Sequence, residues 1–71
     1  MRERRNIEVN VLGYRIERVR SFDERGEIAS QHYEVLAPAT QALLGSFAQR
    51  VEAERAIIAR ELAALPRSAA A

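Results

Sequence analysis

Apolar side chains change their repeat once along this chain, and that change limits the folds open to it. Up to Leu36 they recur largely on alternate residues; from Leu44 to Leu65 they recur every third or fourth residue. A period of two marks strands with one buried face, and a period near 3.6 marks an amphipathic helix. The reading is an α+β fold: a three-stranded antiparallel β-meander over residues 6–36, then one long C-terminal α-helix over residues 38–65. Residues 1–5 are read as a basic arm and 67–71 as a disordered tail, on a single domain covering residues 1–66.

Within the meander, Ile7, Val9 and Val11 hold the odd positions, and Tyr14 and Ile16 hold the even ones. A two-residue loop at Leu12-Gly13 accounts for the change of phase, with Gly13 supplying a positive φ. It pairs Val11 with Tyr14, Val9 with Ile16 and Ile7 with Arg18. A single strand with a bulge at Gly13 would shift the phase equally well. Asp23-Glu24-Arg25-Gly26 is the next turn. A four-residue loop sets Tyr33 and Val35 beside Ile16 and Tyr14, whereas a shorter, bulged loop sets Ile28 opposite Phe22. A one-residue slip exchanges the faces. The first register gathers Val9, Val11, Tyr14, Ile16, Tyr33 and Val35 on one side.

Pro38 suits a first helical turn and Thr40 offers a second cap, while Pro66 ends the helix. Leu44, Ala48, Val51, Ile58, Leu62 and Leu65 form a near-heptad seam with Arg55 in its gap. Leu43, Phe47 and Ile57 widen the apolar stripe. A helix over residues 38–65 would be about 42 Å long at ~1.5 Å per residue. A compact monomer of this size is only about 29 Å across. The helix must break, with Gly45-Ser46 the expected place, or project. In this reading Leu43, Leu44, Phe47 and Val51 pack on the sheet. Val51, Arg55, Ile58, Leu62 and Leu65 form a dimer interface, with Glu52 or Glu54 of the second copy answering Arg55.

At 71 residues without cysteine and with one histidine, the chain has no disulfide or thiolate-metal route to extra stability. Oligomerisation is the remaining one, so a homodimer is expected. No apolar run approaches the ~18 residues of a membrane span, and the charged N-terminus has no signal-like apolar core. A cytoplasmic location without membrane contact is expected.

His32 is the only histidine and Asp23 the only aspartate, which leaves little for nucleophilic catalysis. His32 shares a strand face with Ser30, as any two residues at that spacing would. Glu8 and Glu17 are expected to oppose each other on the polar side of the first hairpin. The three glycines, 13, 26 and 45, are isolated and form no phosphate loop. No catalytic, cofactor-binding or metal-binding residues are assigned, and no cofactor is expected.

All 11 basic residues are arginine, and the net charge is +1. GC-rich codon usage explains arginine for lysine without invoking function. The functional alternative is recognition of phosphate or carboxylate by the guanidinium fork. The leading expectation is a small non-enzymatic protein–protein interaction module: an accessory subunit, adaptor or inhibitor, homodimeric and docked on a larger protein. The alternative is a dimeric nucleic-acid-binding regulator using Arg2, Arg4 and Arg5 of the arm and Arg15, Arg18 and Arg20 of the second strand. Alternation turns Arg15 away from Arg18 and Arg20.

Overall fold

A computed structural model of the chain describes residues 2–65. Its elements are β1 (Arg2–Val11), β2 (Tyr14–Phe22), β3 (Ile28–Leu36), β4 (Leu43–Phe47) and α1 (Arg50–Ala64). The strands form one antiparallel sheet in the order β1-β2-β3-β4. The fold is thus α+β with four strands rather than three, and with a helix of 15 residues. The expected tail at 67–71 lies outside the described residues.

The first hairpin turns at Leu12 (φ 51°) and Gly13 (φ 88°), two positive values in succession as a tight type I′ turn requires. Val11 pairs with Tyr14 and Val9 with Ile16, as the alternation predicts. Beyond them the register shifts by one residue at Glu8, so that Ile7 meets Glu17 and not Arg18. A bulge of this kind sends every residue before it to the other face. Glu8 and Glu17 therefore do not oppose each other. Ile7 leaves the core side and stands 60% exposed.

Residues 2–5 are not a separate arm. β2 continues to Phe22, and its ladder takes up the whole segment, from Asn6 opposite Arg18 to Arg2 opposite Phe22. At the second turn, the Asp23 carboxylate accepts from the N–H groups of Arg25 and Glu27, both at 2.9 Å. Gly26 takes φ 82°. The shorter-loop register holds at the turn, where Ile28 lies opposite Phe22; a one-residue shift then sets Val35 opposite Ile16 and Tyr33 opposite Arg18. The four-residue-loop pairs of Tyr33 with Ile16 and Val35 with Tyr14 do not form, but Tyr33 and Val35 keep the face expected of them.

The helix expected over 38–65 begins only at Arg50. Pro38 and Thr40 lie in a turn closed by the Ala37 N–H donating to the Ala42 carbonyl at 2.8 Å. Residues 43–47 then pair with β3. Two causes favour the strand: glycine costs ~1 kcal/mol inside a helix, and the open edge of β3 offers a backbone ladder. Gly45 lies opposite Val35, and a Cβ there would sit 3.1 Å from the Phe47 ring. The ring covers the bare glycine on this edge strand, a known compensation for its missing side chain. The Glu52 side chain accepts from the Gln49 N–H at 3.0 Å and starts the helix.

Tyr14, Ile16, Val35, Ala53 and Ile57 form the buried core, with Val9, Val11, Tyr33, Leu44 and Phe47 packed around it. The expected sheet face is the observed one. Leu44 and Phe47 pack on it from β4, however, and the helix supplies Ala53 and Ile57. Val51 is 47% exposed. The helix runs antiparallel to β2: Arg50 reaches Glu8 at one end, and the Tyr14 hydroxyl donates to Glu61 at 2.8 Å at the other. At ~1.5 Å per residue it is about 22 Å long, whereas ten strand residues span about 34 Å. The sheet therefore outruns its cover. The radius of gyration is 15.2 Å, against about 11 Å for a compact chain of this length.

Candidate functional site

The proximal half of the sheet, from the Leu12-Gly13 turn to the row of Ile16 and Val35, lies beneath the helix. Its distal half comprises residues 2–6, 18–22 and 28–32. Side chains alternate between the faces there, and the two faces differ in how their charges are answered.

On the face away from the helix, arginine and carboxylate interleave. Glu17 and Glu34 are direct cross-strand neighbours, a repulsive placement if left alone. Arg5 lies between them, with Nη1 2.6 Å from Glu34 and 3.2 Å from Glu17. Arg15 reaches Glu17 at 3.4 Å, and His32 Nε2 lies 2.9 Å from Glu34. Glu34 is buried. The Arg5 guanidinium, aided by His32, holds its carboxyl below the ordinary value against the opposing effect of burial. Val19, in register between Arg5 and His32, is only 1% exposed beneath this layer.

On the helix side of the distal half, the register sets Arg4 opposite Arg20 and Arg20 opposite Gln31. Arg2 and Phe22 form the next row, and Arg18 the one before. Arg20 Nε donates to Gln31 Oε1 at 2.6 Å, which aligns its guanidinium with the sheet. Arg18 Nη1 is 3.6 Å from Glu8, and its buried Nε has no hydrogen-bond partner. Among the described residues, Arg2, Arg4 and Arg20 have no carboxylate at ion-pair distance. The six arginines singled out from the sequence thus divide. Arg2, Arg4, Arg18 and Arg20 share one face; Arg5 and Arg15 occupy the other and are paired with glutamates there.

The second surface is on the helix. Val51, Ile58, Leu62 and Leu65 are 47%, 48%, 63% and 59% exposed, and Arg55 stands exposed among them. At ~100° per residue Val51, Ile58 and Leu62 lie about 140° around the helix from the midpoint of buried Ala53 and Ile57, and Leu65 is the C-cap that follows them. Glu52 and Glu54, the acids considered for Arg55, serve their own helix: Glu52 at the cap, and Glu54 3.0 Å from Arg50. Leu12, 64% exposed, was missed in reading the chain for function. Its signal is a leucine where a type I′ turn favours asparagine or glycine.

Among the described residues no three His, Asp or Glu side chains converge as a metal site requires. His32 is bound to Glu34 and no hydrogen bond links it to Ser30. No helix of the described residues is long and apolar enough to cross a membrane. Comparison with protein-family models, with curated proteins and with solved structures gave no match.

Proposed function

We propose that the chain is a small non-enzymatic protein–protein interaction module that acts as a homodimer. The supporting observation is the exposed stripe Val51, Ile58, Leu62 and Leu65, spaced by alternating steps of four and three residues once Arg55 is included. That spacing is self-complementary, so a twofold axis brings the same patch together from two copies. An antiparallel pairing centred on Ile58 would set Val51 of one copy against Leu65 of the other, and Arg55 against Glu61. The flank carrying Ala53 and Ile57 already packs on its own sheet, so pairing requires no rearrangement of the monomer. The small core of each chain gives such pairing a further energetic advantage.

Leu12 and Leu43, 64% and 56% exposed, lie at the end of the sheet where the helix finishes. A leucine at φ 51° costs on the order of 1–2 kcal/mol, and a strained apolar tip of this kind suits contact with a larger protein. Light scattering of wild type and Leu62→Asp tests the dimer. A dimeric wild type and a folded monomeric variant are expected. An unchanged mass on substitution would exclude the helix stripe as the interface.

A further inference from the structure

The distal sheet face holds an arrangement that folding alone does not favour. Arg4 and Arg20 are direct cross-strand partners, and like charges in that position destabilise a sheet. The opposite face answers the same problem with counter-charges, as Arg5 does between Glu17 and Glu34. On the helix side Arg2, Arg4 and Arg20 have no such answer among the described residues. Residues two apart on a strand are about 6.8 Å apart and point the same way. Arg2 and Arg4 on β1, with Arg18 and Arg20 on β2, therefore form a staggered array of guanidinium groups over three successive rows, with Arg4 and Arg20 sharing the middle one. This repeat is on the scale of successive phosphates along a polynucleotide strand.

We propose that this array binds the phosphate backbone of a nucleic acid. The proposal is independent of the dimer, because one chain carries all four arginines. Arg20 is held in place by Gln31, and a planar guanidinium presents paired N–H donors to a phosphate. Phe22 closes the array next to Arg2 and offers a ring to a base. A concavity of about 700 Å³ lies at this end, lined by Arg2, Arg4, Phe22 and the turn at residues 23–26. Glu3, Asp23 and Glu24 also line it. The Asp23 carboxylate is occupied by its own turn, and Glu3 lies 3.5 Å from Arg5. Glu24 is the acid left to repel a phosphate there, so contact should centre on Arg4 and Arg20 rather than on the turn. Overall charge is only +1, so attraction is local and binding should be moderate and strongly salt-dependent.

Fluorescence anisotropy with labelled mixed-sequence oligonucleotides, single-stranded and duplex, tests this across a salt series. Contacts to three or four phosphates predict a log–log salt slope of about −3 on duplex, and replacing two arginines should reduce it by about two. Arg4→Gln with Arg20→Gln should weaken binding at least tenfold (~1.4 kcal/mol). Arg15→Gln, on the other face, should change it less than about twofold (~0.4 kcal/mol). Circular dichroism should show the double variant to be folded, since it removes a repulsive pair. Heparin and anionic vesicles serve as the other polyanions. Absence of oligonucleotide binding at low salt would overturn the proposal. So would binding indifferent to Arg4 and Arg20, or equal binding of all three polyanions.

Discussion

The two halves of the sheet share their strands and differ in what holds them. In the proximal half Tyr14, Ile16 and Val35 are buried against Ala53 and Ile57 of α1, with β4 closing the side. In the distal half no helix covers either face. The backbone ladder and the buried Val19 carry it, helped by an ionic layer on one side and opposed by like charges on the other. Burial of apolar area is the larger stabilising contribution and exposed ion pairs the smaller. Stability therefore belongs to the covered half, and the uncovered half is free to carry side chains that serve another purpose.

Substitutions can break this division. Ile57→Ala removes a side chain only 1% exposed and should cost about 3 kcal/mol, measured by chemical denaturation. That is a large share of the roughly 4–11 kcal/mol a chain of this length commands. If the loss were below about 1 kcal/mol, the helix would not be the main support.

Glu34→Gln should cost about 1 kcal/mol at neutral pH, since a charge-assisted bond is lost but Arg5 is half exposed. The sign follows from the lowered carboxyl value in the folded state. Such a group stabilises the fold above its unfolded value, near 4.5, and the contribution fades as pH falls through the lower folded value. Wild type should therefore lose stability on acidification more steeply than the variant. Parallel acid limbs in urea melts at several pH values would show that Glu34 does not bind the open face together.

Leu12→Asn should raise stability by about 1 kcal/mol, because asparagine tolerates the left-handed conformation. A thermal melt that falls instead would show that Leu12 packs usefully in the free chain. The smallest effect is expected for Arg20→Gln, within about 0.5 kcal/mol. A larger loss would mean that Arg20 supports the fold, which would remove the division between the halves.

Much of the proximal half was legible in the residues. The phase change at Leu12-Gly13 set the hairpin, and the pairs Val11–Tyr14 and Val9–Ile16 follow from it. The shared face of Tyr33 and Val35 was legible as well. What escaped was set by single-residue shifts with distant causes. Glu8 bulges toward the helix side, where it meets Arg18 at 3.6 Å and Arg50 at 3.3 Å. The second of these partners is remote in sequence, so no local pattern marks the bulge. Without it Arg5 would have faced Arg20. With it, Arg2 and Arg4 join Arg18 and Arg20 on one face, and Arg5 passes to the glutamates on the other. β4 escaped for a similar reason. The cluster Leu43, Leu44 and Phe47 suits a helix stripe as well as a strand, and the free edge of β3 decided the outcome.

The most direct test of the division is a ¹⁵N–¹H NMR titration of the intact chain with a short oligonucleotide at low salt. The account predicts shifts concentrated in residues 2–6, 18–22 and 28–32, with the amides of Ile16, Val35 and Ile57 unmoved. Shifts centred on Val51, Ile58 and Leu62, or spread evenly over both halves, would contradict it.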